Sequence, residues 1–473
     1  QIVTGVSNAR FLVLLLGDSS FITGYLRGLG YDLDELRQTG SNFGTQLRQE
    51  SPRHARVGTG TMVSDGLRMM NTELSHDSFR IRPVRLGRDN FVGNDVHLPP
   101  DARIGDDVLL ATKVMVPVDG PVRTGGGLLG SPPMEIPRTG AGPHPNHPAT
   151  AEELARRLRS KNRYNASTLV ATVLLRALGV AVALVPLGVS VALWPVWGLW
   201  ALGPAVFLGP LLLMVWSALL ERATLGFRGL QPRTASIYDR YFWFHERLWK
   251  LYVRPVLAGT PLLVWRNRLA GLSAGRRVFD DGAALPEKSL VSLGDDVVLN
   301  SGSVLQCHSL EDGRFESGRI RVGDGVSVGV RAFVHYSTDL GDGATLAADS
   351  FLMKGEQVAP GERWGGNPAE PEADDAPVPD HRAVEPAVPV SVVPVLTQPF
   401  TEEVFLSRVQ QYLELHDVGR ATNASVAVLD TLARSLGADA RDDLARHLPS
   451  GLRAQVPSLT GYGHRRSQHA VDD

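Results

Sequence analysis

Cysteine is nearly missing from this sequence: one, Cys307, in 473 residues. A single thiol excludes an internal disulfide framework and suits a reducing compartment. Paired-cysteine zinc sites are excluded with it, and the scattered histidines show no zinc-ligand spacing, so no metal is expected. Excess positive charge is missing too. The formal net charge is −2, which argues against a nucleic-acid partner. Neither a Walker loop nor a dinucleotide fingerprint occurs, and no bound cofactor is expected. Charge itself disappears between Arg176 and Glu221, a run of roughly 44 apolar or small positions, too long for one membrane span of about 20 residues and right for two.

What is present is a repeat within a repeat. A shift of about 236 positions carries Val57-Gly58 onto Leu293-Gly294, Leu86-Gly87 onto Val322-Gly323, Val92-Gly93 onto Val328-Gly329 and Gly130-Ser131-Pro132 onto Gly366-Asn367-Pro368, without a gap. Inside each copy an aliphatic residue returns at every sixth position. The first reads Leu86, Val92, Leu98, Ile104, Leu110, Val116; the second reads Val322, Val328, Val334, Leu340, Leu346, Leu352. A helix needs returns near 3.6 and a half-buried strand a period of two. A period of six belongs to the parallel β-helix, in which six residues make one short strand and one corner. The aliphatic residue points inward, and the small residue after it is expected to let the backbone turn. The fold class is therefore multidomain: two hexapeptide-repeat, left-handed parallel β-helices joined by a transmembrane helical hairpin, with an all-α bundle at the C-terminus.

In chain order, residues 1–56 read as a helical lead-in, with Phe21, Tyr25 and Leu29 about a turn apart. Because the chain starts at Gln1 and runs straight into Phe11–Leu16, it reads as a processed chain or a fragment. Residues 57–138 form the first β-helix, interrupted after Met69 by an insertion carrying Glu73, His76, Asp77 and Phe79. Residues 139–165 are a Gly/Pro/His linker and a basic helix opened by the capping box Thr150-x-x-Glu153. Two membrane helices follow over 166–222, with Pro186, Gly188 and Trp194-Pro195 marking the turn. Arg156 to Arg163 before the pair and Arg222 and Arg228 after it place both flanks, and both β-helices, in the cytoplasm. Residues 223–280, rich in aromatic and basic residues from Tyr238 to Lys250, read as helices lying on the membrane surface. The second β-helix occupies 281–370, with an insertion over Gln306 to Arg319. A disordered linker (371–398), a helical bundle (399–457) and a disordered tail (458–473) complete the chain.

Several runs are specific enough to carry a resemblance. They are Gly17-Asp18-Ser19-Ser20, Gln38-Thr39-Gly40-Ser41-Asn42-Phe43-Gly44, Leu110 to Pro117, Leu128-Leu129-Gly130-Ser131-Pro132, Gln306-Cys307-His308-Ser309-Leu310-Glu311-Asp312-Gly313 and Trp364-Gly365-Gly366-Asn367-Pro368. Through them residues 17–370 resemble the membrane-bound C-terminal region of ε-poly-L-lysine synthetase and related single-module nonribosomal peptide synthetases. That resemblance implies tandem acyltransferase-like domains that join a carrier-bound amino acid to an amine. It further implies adenylation and carrier domains as partners, on the same or a separate chain, with 4′-phosphopantetheine on the carrier. Membrane lipid and an amino-acid or peptide substrate are the other partners, and the β-helix copies are expected to pack together or oligomerise. Residues 400–452 resemble a bacterial family of small helical domains of unknown function, most specifically at Leu448-Pro449-x-Gly451-Leu452.

Amide formation from a thioester needs a base for the amine proton and donors for the oxyanion. His308 lies where the six-residue rhythm stops, with Glu311 and Asp312 close by to orient its ring. In the duplication register His308 falls on Thr72 and Asp312 on His76, so the first copy lacks this arrangement. Weaker candidates are His335, read as an outward surface residue beside Tyr336, and the His76 and Glu73 pair in the first insertion. His97 and His54 read as solvated, and Cys307 as a packing residue. Two other functions remain open: a non-catalytic membrane scaffold that docks a carrier protein, and a coenzyme-A-dependent hexapeptide acetyltransferase.

Overall fold

The computed structural model describes residues 21–37, 51–138, 150–251, 257–372, 401–412, 417–436 and 438–459, with positions 12, 15–17, 19, 39 and 148. Most of the linker residues expected at 139–149 and 371–398, the tail after 459 and most of the run from Gln38 to Gly44 lie outside the described residues. The chain forms two units, residues 1–375 and 376–473.

Both copies in the first unit are parallel β-helices. Three hexapeptides make one coil: Leu86 pairs with Ile104, Val92 with Leu110, Val322 with Leu340 and Val328 with Leu346, always in parallel. The aliphatic stops form two separate cores; Leu98 and Val334 are both fully buried. The strands keep the duplication register. Ala55–Val57 corresponds to Val291–Leu293, Val84–Leu86 to Ile320–Val322 and His97–Leu98 to Phe333–Val334. Even the two cis peptides, Ser131-Pro132 and Asn367-Pro368, are register partners.

The corners correct one expectation. The residue in left-handed conformation lies three positions after the inward aliphatic, not next to it: Asp89, Asp95, Asp101, Asp107 and Lys113 all have φ between 51° and 65°. Short polar side chains tolerate that region best, which explains the aspartates. The glycine directly after the aliphatic answers a different need. A Cβ on Gly58 would sit 2.5 Å from the Gly87 carbonyl oxygen of the next coil, so coil stacking demands its absence.

The two β-helices touch through register partners. Lys113 Nζ donates to Asp349 Oδ1 at 2.5 Å, and to the Asp349 and Arg331 carbonyls at 2.8 and 2.9 Å. Asn367 Nδ2 reaches the Lys113 carbonyl at 2.7 Å, and Ser131 N the Asn367 carbonyl at 2.9 Å. Contacts between equivalent positions of two like bodies are those of an approximate two-fold relation.

Helix α1 (Phe21–Gly28) buries Ile22 and Leu26 on the first core. Helix α2 (Ala151–Trp197) is capped by Thr150, whose Oγ1 accepts the Glu153 N–H at 3.2 Å. It runs straight through Pro186 and Pro195, and the chain turns only over 198–208 before α3 (Gly209–Thr224). The expected break at Pro186 is absent because α3 packs there, with Gly209 facing the Pro186 ring and Gly179 facing Trp216. Most large apolar side chains from Val170 to Leu213 point outward, with Trp200 85% exposed. By length and composition two helical spans, Ala151–Leu202 around α2 and Pro204–Thr224 around α3, can each cross a membrane.

The aromatic segment departs most from expectation. Helix α4 (Arg240–Leu251) does not lie with its aromatic face open to a bilayer: Phe242, Trp243, His245 and Leu248 are buried. Phe242 and Trp243 share one apolar cluster with Met62 and Phe91 of the first β-helix and Phe315 and Leu310 of the second. Helix α5 (Pro261–Leu269) buries Leu263, Val264, Arg266 and Asn267. In the second unit, helices α6 (Glu402–Tyr412), α7 (Val418–Ser435), α8 (Ala438–His447) and α9 (Ser450–Gln455) share an apolar cluster around Leu406, Ala421, Ala433 and Leu452.

Candidate active site

Each β-helix carries a hairpin where its rhythm stops. In the first copy β1 (Thr72–Leu74) pairs with β2 (Phe79–Ile81); in the second, β4 (His308–Ser309) pairs with β5 (Arg314–Ser317). The second hairpin gains a third strand, β3 (Arg233–Ser236), which leads into α4. Phe315 is thereby fully buried, while its register partner Phe79 is 66% exposed. Only the second hairpin is roofed among the described residues.

Under that roof lies a carboxylate that sequence proximity did not suggest. Glu287, one coil before His308, is fully buried. Its Oε1 accepts from Trp249 Nε1 at 2.7 Å and His245 Nε2 at 3.1 Å, and lies 2.8 Å from His308 Nδ1. Its Oε2 accepts the Cys307 N–H at 3.1 Å. Burial works to raise the Glu287 carboxyl, but the His308 charge and the hydrogen bonds from both imidazoles outweigh it and hold the group well below the ordinary range. His308 thus faces the carboxylate through Nδ1, and its Nε2 has no hydrogen-bond partner among the described residues. Trp249 stacks on the His308 ring with centroids 4.4 Å apart, and Phe315 stacks at 5.9 Å. Burial keeps His245 neutral by lowering its pKa.

The carboxylate beside His308 is Glu287, whereas Glu311 and Asp312, expected there, lie elsewhere. The short turn after β4 carries both acids away: Asp312 takes a left-handed conformation and pairs with Arg138 of the first copy at 2.9 Å, and Glu311 pairs with Lys354 at 3.2 Å. His335 is not an outward surface residue. Its Nε2 donates to the His308 carbonyl at 3.1 Å, and burial, with the nearby His308 and Lys354 charges, pushes its pKa down to about 3. Beside it Tyr336 donates to Glu316 Oε2 at 3.0 Å and accepts from Ser309 Oγ at 3.2 Å. His335 therefore fixes the backbone at His308. His76 is open to solvent, 95% exposed and 3.9 Å from Asp77, and Glu73 is exposed on β1, so these two form no enclosed arrangement. His97, expected in solvent, has its Nε2 sealed between the copies, and burial lowers its pKa. The Cys307 thiol faces the second core, where burial pushes it well up, the state of an inert thiol.

The first copy shows what this site replaces. In register Glu287 corresponds to Ser51, and His308 to Thr72. Where Glu287 reaches the Cys307 backbone, the first copy has Asn71, whose side chain bonds both the N–H and the carbonyl of Ser51. Reading the copies against each other would have singled out Glu287 and His308 together. The ligand atoms of His245, Glu287 and His308 also lie within 4.8 Å of one another, a set that can hold a metal ion. The Trp249 N–H donates to the same Glu287 oxygen that both imidazoles face.

The family of hexapeptide repeats of succinyl-transferase matches residues 319–354. A family described as an uncharacterized conserved protein matches residues 402–471. The chain is 29% identical over 251 residues to the delta-poly-L-ornithine synthetase of Acinetobacter baumannii (strain AB307-0294), covering 51% of this chain and 19% of that protein. It thus spans about a fifth of the curated relative's length. Among solved structures, a hexapeptide-repeat acetyltransferase of Vibrio cholerae complexed with acetyl coenzyme A is 16% identical, covers 23% of this chain and 75% of its own, and has a TM-score of 0.20. The soybean serine acetyltransferase apoenzyme is 14% identical, covers 46% and 76%, and has a TM-score of 0.21.

Proposed function

We propose that this chain is the membrane-seated, amide-forming transferase region of a poly-amino-acid synthetase, with its reaction centre in the second β-helix. The observation that carries the reading is the buried Glu287–His308 pair, with His308 Nε2 free of any described partner. The homology to a poly-ornithine synthetase over half of the chain supports the reaction class.

The acyl donor in this reading is an aminoacyl thioester on the phosphopantetheine arm of a carrier domain. The acceptor is the amine of an amino acid or growing chain. The amine nitrogen attacks the thioester carbonyl as His308 Nε2 takes its proton, and Glu287 stabilises the imidazolium that forms. The C–N bond forms, the C–S bond breaks, and His308 returns the proton to the departing thiolate. The first β-helix, with Ser51 and Thr72 in the corresponding places, serves as structural partner. Helices α2 and α3 cross the membrane, and the arginines flanking them set both β-helices on the cytoplasmic side.

The test is amide formation from a loaded carrier, with the full chain in membranes at matched protein level. His308→Ala should slow transfer by about 10²–10⁴-fold, the usual worth of a general base, and leave carrier loading unchanged. Unchanged transfer would remove the reaction centre from this pair.

A further inference from the structure

Two ion pairs outside the reaction centre share an arrangement that the reading above does not use. Lys161 on α2 is almost fully buried, its Nζ 3.3 Å from Oε1 of the equally buried Glu246. Glu246 follows His245, which donates to Glu287. Next along α4, Arg247 donates to Thr168 Oγ1 of α2 at 3.0 and 3.1 Å. On the other arm Glu221, at the inner end of α3, accepts from Lys288 Nζ at 2.8 Å and lies 2.8 Å from Arg266 of α5. Lys288 follows Glu287 in the chain, and Arg266 also reaches Ser217 of α3 at 3.3 Å.

Each arm of the hairpin thus ends in one buried charge. Each of those charges holds the chain neighbour of a residue in the Glu287 cluster. Lys161 lies on the stem of α2 before the uncharged run that begins after Arg176, and Glu221 closes that run. Buried charges are costly unless paired, so neither contact tolerates much displacement of its arm. A backbone fixed at Glu246 and Lys288 fixes the rotamers at His245 and Glu287, the neighbours that orient His308.

We infer that Lys161, Glu246, Glu221 and Lys288 are positioning residues, through which the seated hairpin holds the Glu287–His308 pair in its working geometry. The inference deepens the proposed function by making the state of that site depend on the hairpin. It is tested by a measurement that needs no transfer activity.

The full chain in lipid nanodiscs is treated with diethylpyrocarbonate, and the modification rate of each histidine is read by mass spectrometry. His54 and His76, both exposed on the first copy, are internal controls. Lys161→Glu and Glu221→Gln should each raise the rate at His308 several-fold and leave His54 and His76 unchanged. The exchange Lys161→Glu with Glu246→Lys should bring His308 back to within about twofold of the parent, which loss of packing alone would not do. Lys161→Met, which keeps the stem and removes the charge, should fall between parent and Lys161→Glu. An unchanged His308 rate in the single variants would overturn the inference. So would a parallel rise at the control histidines, or no recovery in the exchange variant. The outcome separates the two readings: the expected His308 modification rates in these variants, with undiminished transfer by His308→Ala, would remove the proposed chemistry and leave the positioning role standing.

Discussion

Replacing Glu287 by Gln probes the candidate site with the least change of shape. Three donors converge on Oε1 (Trp249 Nε1, His245 Nε2 and His308 Nδ1), while Oε2 takes the Cys307 N–H alone. An amide with its oxygen at the Oε1 position keeps the crowded side satisfied and turns its NH2 toward the Cys307 N–H. One buried donor then faces another, a loss of about 1–3 kcal/mol. Glu287→Ala strands two imidazoles and an indole N–H around a void and should cost about 3–5 kcal/mol, the range for a broken buried pair. The amide holds the His308 ring but no longer stabilises its cation, so transfer should fall by roughly 10²-fold, the lower end of general-base effects. Acid adds a sign test. The Glu287 carboxyl is held below its ordinary value in the folded chain, so its stabilisation is complete above the unfolded value of about 4.3 and drains away as pH falls below it. The parent should therefore outlast Glu287→Gln in urea at neutral pH, and the gap should narrow below about pH 4. Urea titrations at several pH values and transfer from a loaded carrier at matched protein level measure both quantities. A Gln variant with parental stability and parental transfer would refute the reasoning.

Three further outcomes follow from the same contacts. Val334→Asp places an unpaired charge in the fully buried second core and should cost several kcal/mol, in the range for such lesions; a parental melting temperature would contradict the coil geometry. His335 has its folded pKa lowered to about 3, so the chain should lose stability as pH falls from about 6.5, the unfolded value, toward 3. His335→Gln, which can keep the donor to His308, should show a flatter profile over that window, and an identical slope would discount the group. Protease added outside sealed cells should leave residues 57–138 and 281–370 intact, and cleavage within either β-helix would reverse the proposed topology.

The coils were legible because each six-residue step answers one requirement: an aliphatic side chain at the axis. Leu86, Val92 and Leu98 state this directly in the sequence, and the ungapped register extends it to Val322, Val328 and Val334. The candidate site was only half legible. His308 stood out where the rhythm stopped, but its carboxylate was sought among the neighbours Glu311 and Asp312. In a β-helix the spatial neighbour of a residue lies about one coil away along the chain, and Glu287 is that neighbour. His245 was hidden for another reason. An amphipathic helix rich in aromatic and basic residues reads alike whether it faces lipid or a protein groove, and only the packing of Phe242 and Trp243 against Phe315 and Met62 decides between them.

The duplication also explains why one copy can hold such chemistry while the other holds the frame. A buried carboxylate facing two imidazoles is tolerable only with every acceptor position filled, and three of its four partners (His245, Trp249 and His308) lie on the roof or the hairpin it covers. The first copy has Ser51 and Thr72 at the two positions, an exposed Phe79, and an Asn71 that closes the backbone gap by itself. Placing Glu287 there without a roof would bury a charge with one backbone donor. Installing the pair as Ser51→Glu with Thr72→His should accordingly destabilise the first β-helix and add no transfer activity in a His308→Ala background. Restored activity in that variant would show that the coil alone supplies what is here assigned to α4 and its seating.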